Sequence, residues 1–385
     1  MKKGVNIVET NDIINYFNKT TPTSSKLEQQ LVTIISGLLF YYFDRVPDAK
    51  QIFKIMIERG DTIQNDHIAF RTIDVRSLLT LFLFYGFSVQ FDDKTRTPFN
   101  FTQKKITAVW LKHPNPAIPR LFISEFRLDE TPTIKQYIAP YLDQINDTID
   151  SVDLNDTTAV IDYLHTSIWP TPTYEHFDYV RNQSEYLSWV MYNQYYLNHF
   201  TLTVNSLQSF GYQQNLDAHF EQYFDNPDIL KIKLREEYRT IMSNFNQFLQ
   251  QEGFQLNSPK GSTLQISNDG LLLQSSTQSG IISANFPDGT YDISGSYVEF
   301  AYRGILETSL NKLSSAQQSK SLPLRDGFEV GNADKIFEST YTNQPSDYND
   351  KGTELSCFDH SKQKINTFLD SYQIKNPHSI PFNVN

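Results

Sequence analysis

The sequence predicts an α+β protein in which two β-α-β-β-β units follow one another, and three observations carry that expectation. Two stretches, Asp66-His67-Ile68-Ala69-Phe70-Arg71-Thr72 and Asn198-His199-Phe200-Thr201-Leu202-Thr203-Val204, show the period-two alternation of a half-buried strand. Each leads to a helical run that stops at a Gly-Phe pair, Gly86-Phe87 in the first and Gly253-Phe254 in the second. Strand-like segments follow both pairs, so one order of elements is read twice.

In chain order, Leu27, Leu31, Ile34, Ile35, Leu38 and Tyr42 recur at helical spacing. After Pro47, Ile52, Ile55 and Met56 continue the pattern to Gly60-Asp61, giving a helical packing module over 1–60. The first half of the sheet is expected over 61–142. Its opening strand places His67, Ala69 and Arg71 on one face and Ile68, Phe70 and Thr72 on the other. Asp74 then caps a helix through Leu78, Leu79, Phe82 and Phe84, and strands are expected over 87–91, 105–111 and 120–126. An acidic, Asn-rich connection with a helical insertion fills 143–197, and its last part, 186–197, reads as an aromatic-rich helix. The second half, 198–340, sets His199, Thr201 and Thr203 on one strand face. An insertion separates that strand from a helix bearing Ile241, Phe245, Phe248 and Leu249. Strands are expected over 262–267, 270–275 and 297–303, and in the last of these Tyr297, Glu299, Ala301 and Arg303 share a face. A polar tail with one short helix around 363–372 occupies 341–385.

Composition narrows the function classes. With 39% hydrophobic and 14% aromatic residues in 385, the chain has the material for a sizeable core. A net charge of -11 and the lack of a basic, aromatic-interleaved stripe oppose nucleic acid as a partner. The single cysteine, Cys357, allows no intrachain disulfide or cysteine metal cluster and fits a reducing compartment. The most apolar run, 31–43, falls short of the roughly 20 residues that span a bilayer. No apolar signal core follows the charged N-terminal residues. A cytoplasmic protein without a membrane partner is therefore expected. There is no glycine-rich phosphate loop and no Gly-x-Ser-x-Gly elbow.

The polar strand faces carry the chemistry. His67 and Arg71 share one strand face with only the Ala69 methyl between them, about 13 Å apart along the strand, a placement that suits a metal ligand beside a clamp for an anionic group. With His199 and Glu299 the set becomes two imidazoles and a carboxylate, which holds Fe(II) with open positions, or Zn(II) with a water. A structural pairing of Glu299 with Arg303 is the competing reading, and the wide separation in sequence does not decide between them. His113, His165 and His176 read as loop or surface residues.

Several motifs occur together in a recognisable order: Gly60-Asp61 through Asn65-Asp66-His67-Ile68-Ala69-Phe70-Arg71-Thr72, Asn198-His199-Phe200-Thr201, Gln274-Ser275-Ser276-Thr277, Val298-Glu299-Phe300-Ala301 and Ile336-Phe337-Glu338-Ser339-Thr340. In this order they resemble the DUF1338 family, whose characterised members are 2-oxoadipate dioxygenase/decarboxylases, or 2-hydroxyglutarate synthases. The resemblance implies a vicinal-oxygen-chelate-like open β-barrel built from paired βαβββ units and surrounded by helices. It also implies Fe(II) as cofactor, held by His67, His199 and Glu299, with Arg71 binding the substrate. Small 2-oxo dicarboxylic acid and O2 would be the partners, with 2-hydroxyglutarate and CO2 as products, as in lysine breakdown. Strand faces add Arg303, Gln274 and Thr201 as substrate-binding candidates. The stretch Phe328-Glu329-Val330-Gly331-Asn332 departs from longer bacterial members where pocket residues lie, which bears on the exact substrate. The alternatives are an oxygen-independent divalent-metal enzyme and a small carboxylate-binding protein.

Overall fold

The computed structural model describes residues 10–92, 96–144, 148–210, 218–310, 322–337 and 361–374. Three helices come first: α1 (Thr10–Thr20), α2 (Lys26–Arg45) and α3 (Pro47–Glu58). Ser25 starts α2 by accepting a hydrogen bond from the Glu28 N–H at 3.1 Å, while the Glu28 carboxylate accepts from the Ser24 N–H just before the cap, so the helix start is held from both sides. The first half of the sheet then runs β1 (Asn65–Thr72), α4 (Val75–Phe84), β2 (Ser88–Gln90), β3 (Phe99–Phe101), β4 (Ile106–Lys112) and β5 (Arg120–Phe126). Helices α5 (Pro132–Leu142), α6 (Thr157–His165), α7 (Tyr174–Arg181) and α8 (Glu185–Asn193) form the connection.

The second half begins with β6 (His199–Thr203), followed by a short α9 (Ala218–Glu221) and the long α10 (Pro227–Gln251). It continues through β7 (Gln265–Ile266), β8 (Leu272–Ser276), β9 (Ile281–Phe286), β10 (Gly289–Ser294) and β11 (Tyr297–Arg303). A short α11 (Glu307–Leu310), then α12 (Val330–Phe337) and α13 (Ser361–Ser371), complete the described chain.

One mixed sheet, curled into a half-barrel, holds both halves in the order β2-β4-β5-β1-β6-β11-β8-β7, with β3 also paired to β4. With β3 and the β9–β10 hairpin set aside, each half counted outward from the centre presents its first strand, then its last, then its third and second. The first and last strands are parallel in both halves, β1 with β5 and β6 with β11. The halves meet where β1 and β6 pair antiparallel. The helix after each opening strand ends on a left-handed glycine, Gly86 at φ +92° and Gly253 at φ +95°, a conformation that other residues adopt at a cost. The repeat expected from the sequence is therefore present in the sheet.

Alternation sorts the two faces. Phe200, on the apolar side of β6, packs against Phe17 at 5.2 Å and Phe53 at 4.9 Å between ring centroids, under the N-terminal helices. Phe70 meets Phe82 of α4 and Phe300 meets Phe245 of α10 in the same way. Phe200→Ala should cost about 3–5 kcal/mol of folding stability, read as a drop in the urea midpoint at unchanged slope, because the surrounding aromatics cannot collapse into the space.

The structure adds elements that the alternation did not reveal. β3 lies between the strands expected over 87–91 and 105–111. The β9–β10 hairpin is a second insertion, between the third and fourth strands of the repeat, and packs Ala284, Phe286 and Ile293 on Phe177 of α7. Helix α13 sits where the short tail helix is expected, with Phe368 against Phe91 and the Tyr372 hydroxyl donating to Glu125. Glu338, Ser339, Thr340, Cys357 and most of the polar tail lie outside the described residues. Among the described residues, no helix is long and apolar enough to cross a membrane.

Candidate metal centre

The seam between the halves brings the polar faces of three strands together. On one cross-strand row His67, Thr201 and Glu299 are neighbours, and on the next Ala69, His199 and Tyr297. As a result, ligand atoms of His67, His199 and Glu299 all lie within 4.8 Å of one another, and all three residues are buried. His199 Nε2 is 3.2 Å from one Glu299 oxygen and His67 Nε2 is 3.6 Å from the other. Among the described residues this is the one group of three or more His, Cys, Asp and Glu side chains placed to hold a metal.

Neighbouring groups aim the rings. His67 Nδ1 lies 2.8 Å from Asp66 Oδ1, and His199 Nδ1 lies 3.1 Å from Asn198 Oδ1. Each imidazole therefore turns its Nε2 toward Glu299. Thr201 Oγ1 is 3.0 Å from His67 Nε2, and the Gln274 amide donates to Glu299 Oε1 while accepting from Asn332 Nδ2 at 2.9 Å. Among the described residues, buried His199 Nε2 has no hydrogen-bond partner. Burial, with the charges of His67 and Arg71 adding to it, holds the His199 pKa well below the ordinary imidazole range. Burial opposes protonation of His67 too, but Glu299 and Asp66 outweigh it and raise its pKa. A neutral imidazole with an orphaned, inward lone pair beside a second imidazole and a carboxylate is a donor set that fits a divalent cation.

Arg71 follows on the same face of β1 and is 1% exposed. Its guanidinium lies 5.2 Å from the ring centre of Tyr186, 5.5 Å from that of Trp189 and 5.6 Å from that of Phe337, and one nitrogen donates to the Phe337 carbonyl at 3.2 Å. Burial raises the Tyr186 and Tyr297 hydroxyls above their ordinary range, with Arg71 working against it, so both stay neutral. The triad and Arg71 line one cavity with about 20 Å³ of free volume, closed by Phe122, Phe328 and the α12 residues Ala333, Ile336 and Phe337. That is room for roughly one water. Phe328 stands edge-on to His67 at 4.7 Å.

The other expected residues are placed differently. Thr201 and Gln274 touch the ligands. Arg303 is not a cavity wall: its Nε and one terminal nitrogen hold the Asp66 carboxylate at 2.6 and 2.8 Å. It therefore pairs with Asp66 and not with Glu299. His113, expected on a loop or the surface, is buried against Phe87. His165 stacks on Tyr41, and burial pushes its pKa down to about 4. His176 is paired with the Tyr141 hydroxyl. Asp66, Asn198, Tyr186 and Trp189 did not stand out in the sequence, since a residue beside a strand histidine or within an aromatic helix carries no signal of its own.

Comparison with known proteins gives a consistent picture. The family model described as 2-oxoadipate dioxygenase/decarboxylase matches residues 34–321. The chain is 34% identical over 338 residues to the 2-oxoadipate dioxygenase/decarboxylase, chloroplastic/amyloplastic, of Oryza sativa subsp. japonica, covering 81% of this chain and 79% of the relative. The crystal structure of the hydroxyglutarate synthase from Oryza sativa in complex with 2-oxoadipate is similar at a TM-score of 0.66 and 31% identity, over 84% of this chain and 96% of that one. A glyoxalase-superfamily protein from Ralstonia eutropha JMP134 shares the fold at a TM-score of 0.50 and 13% identity, over 74% of this chain and 87% of that one.

Proposed function

This chain belongs to the 2-oxoadipate dioxygenase/decarboxylase family, and from that premise we propose that it converts 2-oxoadipate and O2 into 2-hydroxyglutarate and CO2 at an Fe(II) centre held by His67, His199 and Glu299. The carbon lost as CO2 is the substrate's own carboxylate. One oxygen atom of O2 enters the carboxylate formed in its place and the other enters the new hydroxyl, so atoms balance. The observation that carries the reading is the convergence of the three ligands and the buried Arg71 on one small cavity.

Bound Fe(II) would supply the activation of oxygen. The rest is work for the protein. Arg71 offers a planar fork to the carboxylate remote from the reacting carbon, which fixes the substrate's orientation for the hydroxylation that follows decarboxylation. Gln274 steadies Glu299, and Thr201 sits against His67, so both act through ligands. Phe122, Phe328 and Phe337 keep bulk water from the reacting groups. Since the cavity holds about 20 Å³, a six-carbon acid enters only if a wall moves, and Phe328 and α12 are the walls outside the sheet. With one cysteine in the sequence, the same proposal places the enzyme in a reducing compartment such as the cytoplasm.

The test is anaerobic loading with Fe(II), then oxygen uptake and product analysis with 2-oxoadipate and 2-oxo acids of other lengths. Uptake matched by 2-hydroxyglutarate is the expected result. Bound metal without uptake on any of these acids would move the assignment to oxygen-independent chemistry.

A further inference from the structure

The two ligating histidines are preceded by side chains of equal size and different charge. Asn198 faces His199 Nδ1 with an amide oxygen, and Asp66 faces His67 Nδ1 with a carboxylate. Strict alternation would turn Asp66 to the opposite side of β1 from His67. The pairing with β6 slips there: Asn65 lies opposite Leu202 and His67 opposite Thr201, so Asp66 is the extra residue of a β-bulge, a device that re-aims a side chain. The bulged carboxylate is buried and held at both oxygens by Arg303, at 2.6 and 2.8 Å, with Arg120 at 3.5 Å. The remaining Arg303 nitrogen donates to the carbonyls of Gly327 at 2.7 Å and Arg325 at 3.3 Å, in the segment that carries Phe328 over His67. Among the described residues Asn198 has no such anchor, and its buried amide nitrogen has no hydrogen-bond partner there.

We infer that Asp66, locked by Arg303, is a positioning residue that makes His67 the stronger of the two imidazole ligands and ties that ligand to the cavity's Phe328 wall. The inference rests on the reading of His67, His199 and Glu299 as a metal centre. A carboxylate that accepts the Nδ1 proton fixes the Nε2 lone pair toward the centre and makes the ring more basic, and an amide oxygen does this more weakly. The two-pronged grip of Arg303 denies Asp66 the rotation that would release the ring. The two halves of the repeat thus supply unequal ligands from equivalent positions.

The experiment is titration with Co(II), followed by its ligand-field absorption without substrate, on the wild type, Asp66→Asn, Asp66→Asn/Arg303→Met and Asn198→Ala. Asp66→Asn strips Arg303 of its counter-charge and is the variant most at risk of unfolding. The double variant removes both charges, and its melting curve verifies the fold. Asp66→Asn and the folded double variant are expected to bind Co(II) roughly 10- to 100-fold more weakly than the wild type, by equal amounts, because Arg303 acts through Asp66. Asn198→Ala is expected to lose less. A folded double variant with wild-type affinity would make the pair merely structural, and an equal loss in Asn198→Ala would overturn the asymmetry. A wild type that binds no Co(II) would instead remove the metal centre itself, a result distinct from either.

Discussion

His199→Ala is expected to abolish metal binding, with metal content falling from about one per chain to near zero and turnover falling with it. The described residues offer three donors, and His199 supplies the one whose buried Nε2 makes no hydrogen bond among them. Loss of an outer partner of a ligand costs roughly 10- to 100-fold in affinity, so loss of the ligand itself should exceed that. The fold should survive, because a neutral side chain on the cavity face of β6 is removed while Phe200 and Leu202 keep the strand anchored under the helices. Elemental analysis after Fe(II) loading and desalting measures the first quantity and far-ultraviolet circular dichroism the second. Chelator treatment of the wild type should reproduce the variant's loss of turnover and be reversed by Fe(II), whereas the variant should not be rescued. A variant that retains one tightly held metal would show that the triad is not the centre.

Arg71→Ala should separate binding of the metal from use of the substrate. Its metal content should match the wild type, because Asp66, Asn198, Thr201 and Gln274 hold the three ligands in place. Its kcat/KM for 2-oxoadipate should fall by about 30- to 5,000-fold, the range that corresponds to about 2–5 kcal/mol for truncating one side of a buried, hydrogen-bonded charge pair. Arg71→Lys should recover little, since an ammonium lacks the planar fork and would sit differently among Tyr186, Trp189 and Phe337. A 2-oxo acid without the remote carboxylate gives the sharper comparison. It should be a poor substrate for the wild type and suffer no further loss in the variant. Equal losses on both acids would move Arg71 from substrate orientation to general support of the cavity.

The parts of this molecule that were legible in the sequence are those in which a period does physical work. Alternation put His67, His199 and Glu299 on the buried polar faces of strands, and the left-handed glycines at Gly86 and Gly253 marked equivalent helix ends. The face of Arg303 followed from the same alternation, but its partner did not. That partner depends on a bulge at Asp66, where the ladder slips by a residue and the period-two rule fails locally. The β9–β10 hairpin was hidden for a different reason: it packs one shallow face on α7 and α8 and leaves the other in water, so few of its side chains needed to be apolar. Helices α6 and α7 take their starts from caps: Asp156 accepts from the Thr158 N–H at 2.9 Å and Thr173 from the His176 N–H at 3.3 Å.

The pairing of first and last strands in each half has a consequence for symmetry. In the second half Glu299 stands opposite Thr201, two residues beyond His199. The corresponding place in the first half is opposite Ala69, two residues beyond His67, and it is occupied by Phe122. A faithful copy of the second half would put another carboxylate there and surround an ion with four protein groups. The benzene ring breaks the duplication at one position, leaving a lopsided shell with protein donors on one flank and an apolar ring on the other. The vacant flank is what divides a centre able to admit reactants from one that would only fasten two halves of a barrel together.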